Sequence, residues 1–364
     1  MSTPLLLAIK KIRDKNVLLS VVDILLNFGS NPNIGDKDGW TPLMRASGMG
    51  YKEIVLSLLN EGANPNTKID KGWYTPLMAA SNNNHNETVQ TLLIFGADLN
   101  AKNCDGYTPL ILASDNNNEK VVLTLLKAGA DPNAKNRLGN TSLISASCNN
   151  RKQIIQTLLQ AGADPNVKNR DGNTPLMFAV DSDHEEVVQT LLNAGADPNT
   201  QNNYGWTALI YASYHGHEKI VQTLLAFDAD PNTKNNYGWT ALIFASEHSH
   251  KKVVQTLLEA NADPNVADDR KRNSLTYAIN NGRAEIVQAL LLAGANPNVK
   301  SNRGWTPLMD ASYRRYGEIV KMLLIAGADQ NAKNDYGYTA LEFAIRYKRN
   351  EIAGILLAFI LGDK

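Results

Sequence analysis

The chain has 364 residues, of which 36 are Lys or Arg and 36 are Asp or Glu, so its net charge at pH 7 is zero. This balance argues against a general polyanion binder, because affinity for nucleic acid rests largely on neutralising phosphates. Cys104 and Cys148 show neither metal-ligand spacing nor a disulfide framework. No apolar run approaches about 18 residues, and near the N terminus the charges follow the apolar run, so we expect no membrane span and no secretory signal.

Two phrases recur along the chain at a fixed interval. Ala-Gly-Ala-Asp-Pro-Asn stands at residues 128–133, 161–166 and 194–199, with variants at 61–66, 227–232, 260–265 and 293–298. A second phrase, Thr-Pro-Leu or Thr-Ala-Leu, recurs with the same period. Its first two intervals are longer, and each later one is 33 residues. Its first residues are Thr3, Thr41, Thr75, Thr108, Thr141, Thr174, Thr207, Thr240, Asn273, Thr306 and Thr339. Such a period predicts stacked units, with almost no residues left for a separate catalytic domain.

One unit, residues 202–235, predicts two short helices and an extended loop. Thr207 can cap the first helix through its hydroxyl, and residues 215–217 interrupt the helical pattern before the second helix, whose apolar residues share one face. The Asn-rich and Gly-rich stretches predict a hairpin-like loop. An alanine recurs in the first helix of every unit, where a larger side chain would overpack the junction. These alanines are Ala8, Ala46, Ala80, Ala113, Ala146, Ala179, Ala212, Ala245, Ala278, Ala311 and Ala344.

The succession Gly-x-Thr-Pro-Leu-x-x-Ala, then Val-Val-x-x-Leu-Leu, then Gly-Ala-Asp-x-Asn resembles the ankyrin repeat in eleven units that cover nearly the whole chain. The resemblance implies an all-α solenoid of paired antiparallel helices with projecting hairpin loops. It also implies a curved stack with hairpins and first helices on its concave side. We expect one body over residues 1–364, with an N-terminal capping repeat at 1–35, central repeats at 36–334 and a C-terminal capping repeat at 335–364. In the last repeat Arg346, Lys348, Arg349 and Glu351 fit a polar outer face.

Two departures from the family pattern carry predictions. The position after Thr-Pro-Leu, where the family usually has His, is mostly apolar here, and we expect apolar packing to replace the hydrogen bonds of that His. In the unit at 268–273, Lys271 replaces the recurring Gly, and Ser274 replaces Pro. If that Gly position requires φ > 0, Lys271 is strained by about 1–2 kcal/mol. The sequence therefore predicts a local weak point at this junction.

The resemblance implies that a partner contacts the hairpin tips and the turn between the two helices. Aromatic residues and Arg, which binding hot spots favour, concentrate at these positions between residues 204 and 314. The candidate partner-binding residues are Tyr204, Trp206, Tyr214, His215, Tyr237, Trp239, His248, Trp305, Tyr313 and Arg314. For the three Trp residues, packing of one hairpin on the next is an equal alternative. The recurring rings inside the first helix are better interpreted as inter-repeat core: Phe178, Tyr211, Phe244 and Tyr277.

The histidines form two His-x-His pairs, at 215 and 217 and at 248 and 250, but no Cys or carboxylate is placed to complete a metal shell. We expect no metal and no cofactor. The chain also lacks Gly-x-Ser-x-Gly, a phosphate loop and His-Glu-x-x-His. These absences favour a non-enzymatic scaffold over an enzyme.

The favoured function is a soluble, monomeric scaffold that binds a protein or peptide partner on its concave hairpin and first-helix surface. We expect it in the cytoplasm, or secreted into a host cell without a classical signal peptide. The alternative is a host-directed effector or regulatory adaptor with a weak acidic or nucleic-acid ligand at the basic C-terminal half. Residues 268–351 contain 13 Lys and Arg against 9 Asp and Glu, although the zero net charge disfavours nucleic acid.

Overall fold

The structure is a computed structural model that describes residues 3–69, 72 and 74–362. Within these residues the chain forms 22 helices in eleven pairs and no strand, which confirms the predicted all-α repeat architecture. The longer second interval of the sequence, from Thr41 to Thr75, predicts one extra residue within 68–74, and residues 70, 71 and 73 of that stretch lie outside the described residues. The helices divide into two compact units, Met1–Ala196 and Asp197–Lys364, which are called the first and second units below.

In the first unit the helices are α1 Pro4–Lys11, α2 Lys15–Asn27, α3 Pro42–Met49, α4 Lys52–Asn60, α5 Pro76–Asn82, α6 Asn86–Ile94, α7 Pro109–Asp115, α8 Glu119–Lys127, α9 Ser142–Cys148, α10 Lys152–Gln160, α11 Pro175–Asp181 and α12 Glu185–Asn193. In the second unit they are α13 Ala208–His215, α14 Glu218–Ala226, α15 Ala241–Glu247, α16 Lys251–Glu259, α17 Ser274–Asn280, α18 Ala284–Leu292, α19 Pro307–Arg314, α20 Gly317–Ile325, α21 Ala340–Arg346 and α22 Asn350–Leu361. Within each of these two compact units, the first helix of a repeat packs on the second helix of the same repeat. It also packs on the first helix of the next repeat.

The recurring Thr caps each first helix with its hydroxyl, as its position in the sequence predicts. Oγ1 of Thr207, for example, accepts a hydrogen bond from the backbone N–H of Ile210 at 3.3 Å, which satisfies one of the free donors of the first turn. Asn273 replaces Thr in its repeat, and its Oδ1 accepts the N–H of Thr276 at 3.1 Å. Pro stands at the first helical position of several repeats, as in α19. It has no N–H that needs a hydrogen-bond partner there, and its fixed φ already suits the helix.

The core repeats with the same period. Every recurring alanine is buried, most of them completely, so adjacent first helices can approach closely. The position after Thr-Pro-Leu is also buried where it is apolar, which confirms that packing takes the place of the family's usual histidine network. The residues at this position are Met44, Met78, Ile111, Ile144, Met177, Ile210, Ile243 and Met309.

An asparagine joins each loop to the next repeat. In the second unit, Nδ2 of Asn265 donates to the carbonyl oxygen of Gly294 at 3.0 Å, and Oδ1 of Asn265 accepts the N–H of Asn296 at 2.7 Å. Asn133 makes the equivalent bonds in the first unit. Its Nδ2 donates to the carbonyl oxygen of Gly162 at 3.1 Å, and its Oδ1 accepts the N–H of Asp164 at 2.8 Å. The final Asn of the Asp-Pro-Asn phrase therefore links two repeats, whereas the first residue of that phrase closes its own turn.

The outer side of the last helix pair is only partly polar. Arg346, Lys348 and Glu351 are exposed as predicted, whereas Arg349 is half-buried. Ile345, Ile360 and Leu361 are exposed too, the last to 76%. α22 is apolar around much of its circumference, so one buried stripe cannot cover all its large side chains.

Candidate functional site

Most hairpin tips are four-residue turns built around an Asn or Asp, whereas the tip at residues 301–304 begins with Ser301. In the tip at 235–238, Oδ1 of Asn235 accepts the N–H groups of Tyr237 at 3.0 Å and Trp239 at 2.9 Å. The third tip residue is thereby held outward, and Tyr237 is 62% exposed. In the second unit these third positions are Tyr204, Tyr237, Arg270, Arg303 and Tyr336. In the first unit the corresponding residues include Asp38, Asp105, Leu138 and Asp171.

The predicted Trp residues lie beneath the tips and are half-buried. The Trp239 ring is centred 4.8 Å from Phe244 and 4.6 Å from Tyr277, and Trp206 lies 4.8 Å from the other side of Phe244. Phe244 and Tyr277 are buried, as predicted for core rings, whereas Phe178 and Tyr211 are half-buried. The Trp rings therefore both fill the space between first helices and show one edge to solvent.

A second set of rings lies at the C-terminal ends of α13 and α15. The Tyr214 ring is centred 5.6 Å from Trp206, 4.8 Å from His215 and 4.6 Å from His248. Tyr214, His215 and His248 are exposed. Four of the predicted residues thus form one contiguous surface, because two helix ends and a hairpin meet there.

The remaining predicted residues form a separate cluster further along the second unit. The Trp305 ring lies 6.1 Å from Tyr313 and 4.6 Å from Phe343, and Tyr313 lies 5.2 Å from Tyr347. Arg314 is exposed at the end of α19. No ring contact between described residues joins this cluster to Trp206 or Trp239, so the structure does not bring all the predicted residues into one patch.

An open groove runs beside the tips of the second unit. It has a volume of about 560 Å³ and is lined by Trp206, Asn235, Tyr237, Trp239, Phe244, Asp268, Asp269, Arg270 and Arg272. We call this the aromatic groove. Its floor is apolar and its far wall is charged, so it can accept an apolar side chain next to a polar one.

A second cleft of about 560 Å³ shares two arginines with the aromatic groove. It is lined by Arg270, Arg272, Ser301, Asn302 and Arg303, and we call it the arginine cleft. No carboxylate lines it. The three arginines were absent from the sequence-based candidates; the signal that could have found them is the loss of the tip glycine at Lys271.

Arg272 is held inward by a buried acid. Its Nε and Nη2 donate to Oδ2 of Asp268 at 3.1 and 2.9 Å, and its guanidinium lies over the Tyr277 ring at 4.7 Å. Burial raises the pKa of Asp268, but the N–H of Arg272, the Tyr277 hydroxyl and the Arg272 guanidinium outweigh it and hold that pKa below its usual value. Burial and the hydrogen bond to Asp268 raise the pKa of Tyr277.

Asp310 interrupts the series of aromatic rings in the first helices. It occupies the position that Phe244, Tyr277 and Phe343 hold in neighbouring repeats. Burial raises the pKa of Asp310 to about 6, and the nearby Arg314 lowers it only in part. This carboxyl group therefore changes charge in mildly acid solution rather than in the usual range of an aspartate.

Three histidines contact a carbonyl oxygen of the preceding repeat. Nε2 of His250 lies 3.0 Å from the carbonyl oxygen of Tyr214, and His85 and His184 contact the preceding repeat in the same way in the first unit. Within the part of the chain that the structure describes, no group of three or more His, Cys, Asp or Glu side chains could hold a metal ion. Nor is any helix there long and apolar enough to cross a bilayer.

Comparisons with known proteins agree with this geometry. A family model described as ankyrin repeats (3 copies) matches residues 1–69, 67–136, 134–202, 194–268 and 275–362. Among solved structures, the chain is similar to the crystal structure of the ankyrin repeat domain of Bcl-3, described as a unique member of the IkappaB protein family. The two are 31% identical, with a TM-score of 0.55, over 60% of this chain and 98% of that chain. No curated protein matches.

Proposed function

Since the chain belongs to the ankyrin-repeat family, we propose that it is a non-enzymatic scaffold that binds a protein or peptide partner on the hairpin tips and first helices of its second unit. The observation that carries this proposal is the contiguous surface of Trp206, Tyr214, His215 and His248, which adjoins the aromatic groove because Trp206 also lines that groove. Large rings held on rigid backbone lose little conformational freedom on binding, which is why interfaces favour them.

The two units offer different chemistry to a partner. The tips of the second unit present Tyr and Arg side chains, whereas several tips of the first unit present Asp. Tyr and Arg are common hot-spot residues, and Asp is depleted from interface centres. The second unit is therefore the better candidate for the main contact surface.

The proposal can be tested with a phage-displayed library of random dodecapeptides selected on the full chain. We expect selected peptides to compete with one another for one site. Replacement of Tyr214 and Tyr237 by Ala should weaken their binding about tenfold or more, because each removes an exposed ring. Tyr237 is largely exposed, whereas Tyr214 packs against Trp206 and His248, so circular dichroism will show whether the variant keeps its helices.

Leu138→Ala is the matched control, because Leu138 occupies the same tip position in the first unit and is 60% exposed. It should leave binding unchanged. Equal binding by the wild type and the Tyr214→Ala/Tyr237→Ala variant would exclude this surface as the contact. Loss of binding with Leu138→Ala alone would move the site to the first unit.

A further inference from the structure

Adjacent hairpin tips are joined by a backbone hydrogen bond. In the first unit, the backbone N–H of Arg137 donates to the carbonyl oxygen of Asp105 at 2.8 Å. The backbone N–H of Arg170 donates to the carbonyl oxygen of Leu138 at 2.9 Å. In the second unit, the backbone N–H of Asn236 donates to the carbonyl oxygen of Tyr204 at 3.1 Å. The backbone N–H of Asp335 donates to the carbonyl oxygen of Arg303 at 3.3 Å. These bonds close the space between one tip and the next.

The tip at residues 268–272 is the exception in the second unit. Among the described residues, the N–H groups of Asp269 and Asn302 have no hydrogen-bond partner, although their positions correspond to Asn236 and Asp335. The turn itself is intact, since the N–H of Asp268 donates to Arg272 at 2.8 Å. The tip is thus properly folded but separated from both neighbours.

The side chain of Lys271 explains the separation from the next tip. At the equivalent Gly205, an added Cβ would lie 2.7 Å from the backbone nitrogen of Asn236, which is too close for any real contact. Lys271 has the same left-handed backbone, with φ of 60°, and it carries a Cβ. The tip at residues 301–304 must therefore stand further away, and the arginine cleft occupies the gap.

The walls of the arginine cleft are suited to an anion. Arg270 and Arg303 are exposed and have no ion pair or hydrogen-bond partner for their guanidinium groups among the described residues. Ser301 and Asn302 add hydroxyl and amide donors, and Asn302 adds its free N–H. Among the nearby acids, Asp268 binds Arg272, Asp269 lines the aromatic groove, and Asp335 lies against Gly304 on the side of the following tip.

We propose that Lys271 holds the arginine cleft open and that this cleft binds a carboxylate side chain, Asp or Glu, of the partner's peptide segment. This rests on the proposed function, and it specifies the partner chemistry. Arg binds carboxylates through two parallel N–H donors, so Arg270 and Arg303 can enclose one carboxylate from both sides. The adjoining aromatic groove receives an apolar side chain of the same segment.

The geometry predicts a sequence spacing in the peptide. The groove and the cleft lie at successive repeats, and packed helices stand about 8–10 Å apart. An extended chain advances about 3.3–3.6 Å per residue. An apolar residue and an acidic residue in the bound segment should therefore be about three positions apart.

The experiment uses the same dodecapeptide library on the full chain and measures affinities of selected peptides by fluorescence anisotropy. We expect enrichment of Asp or Glu about three positions from an aromatic or large aliphatic residue. Arg303→Glu should weaken the best peptide about tenfold or more, whereas Arg137→Glu, the same charge reversal at an exposed tip of the first unit, should not. Lys271→Gly should weaken it comparably while leaving both arginines in place.

Lys271→Ala is the decisive control, because it removes the same charge as Lys271→Gly but keeps the Cβ. It should bind like the wild type, and amide exchange should show the Asn302 N–H protected only in Lys271→Gly. Peptides that lose affinity in Tyr214→Ala/Tyr237→Ala but show no acidic preference would overturn this inference and leave the proposed function standing. Peptides that depend on neither surface would overturn both. Binding of a single-stranded oligonucleotide that is lost in Arg303→Glu, with no acidic peptide selected, would also overturn it.

Discussion

Nε2 of His250 lies 3.0 Å from the carbonyl oxygen of Tyr214, so the start of α16 is tied to the end of α13 one repeat earlier. Burial lowers the pKa of His250, against the hydrogen bond to Tyr214, which raises it. The unfolded chain therefore binds a proton more readily than the folded chain. Stability that is present above about pH 6.5 should be lost as the pH falls through the lowered pKa.

The corresponding variant is His250→Gln. Its free energy of unfolding at neutral pH should be lower than that of the wild type by about 0.5–1.5 kcal/mol, the net value of one hydrogen bond. It should also lose less stability than the wild type on acidification. Urea titrations at neutral pH and at about pH 5.5 will measure both effects. Leu138→Ala, at an exposed tip of the first unit, is the control and should change neither.

Lys271→Gly should stabilise the protein. The left-handed backbone at Lys271 costs about 1–2 kcal/mol, and glycine removes that strain and lets the next tip approach. Lys271→Ala should remain close to the wild type, because it keeps the Cβ. Urea unfolding measures the difference, and in the wild type amide exchange should be faster at residues 268–303 than at the neighbouring repeats. Equal stability of the two variants would show that the Cβ is not the cause.

Asp310 should make stability fall as the pH rises. Its pKa is raised from 3.8 to about 6 in the folded state, so the folded chain binds the proton more tightly, and stability decreases between those two values as the pH rises. Asp310→Asn should remove this dependence and stabilise the protein at neutral pH by on the order of 2 kcal/mol. The comparison is the unfolding free energy at about pH 4 and pH 7. A parallel pH dependence in both proteins would contradict the assignment.

Asn265 should show a graded response, because it makes two bonds across repeats. Asn265→Asp keeps the acceptor for the N–H of Asn296 but loses the donor to Gly294, whereas Asn265→Ala loses both. We expect losses of about 1 kcal/mol for Asp and about 2 kcal/mol for Ala. Thermal and urea unfolding will rank the three proteins. If Asn265→Ala is as stable as Asn265→Asp, the hydrogen bond from the N–H of Asn296 to Oδ1 contributes nothing to stability.

Much of the fold could be predicted because it depends on local chemistry repeated in phase. Thr207 caps a helix with its own hydroxyl, and a buried Ala212 is required wherever two helices meet closely. The left-handed backbone at Lys271 could also be predicted, since glycine stands at that position in other repeats and φ is 60° there. These conclusions need only the residue and its register.

The site was harder to predict because it depends on contacts between repeats. Trp239 is half-buried because Phe244 and Tyr277 lie on either side of it, and the sequence does not give the rotation of one helix against the next. Arg272 turns toward Asp268 rather than outward, although both belong to the same tip. The arginine cleft arises from a displacement of one tip, which a pattern based on identical repeats cannot contain.

The asparagine bonds between successive loops have a further consequence for how such a chain can change in length. Because the bonds of Asn133 and Asn265 are the same, a segment of 33 residues excised between equivalent points would bring together two surfaces that already match. Duplication of such a segment would regenerate the same junction. Gene rearrangements between such points would therefore preserve these asparagine bonds.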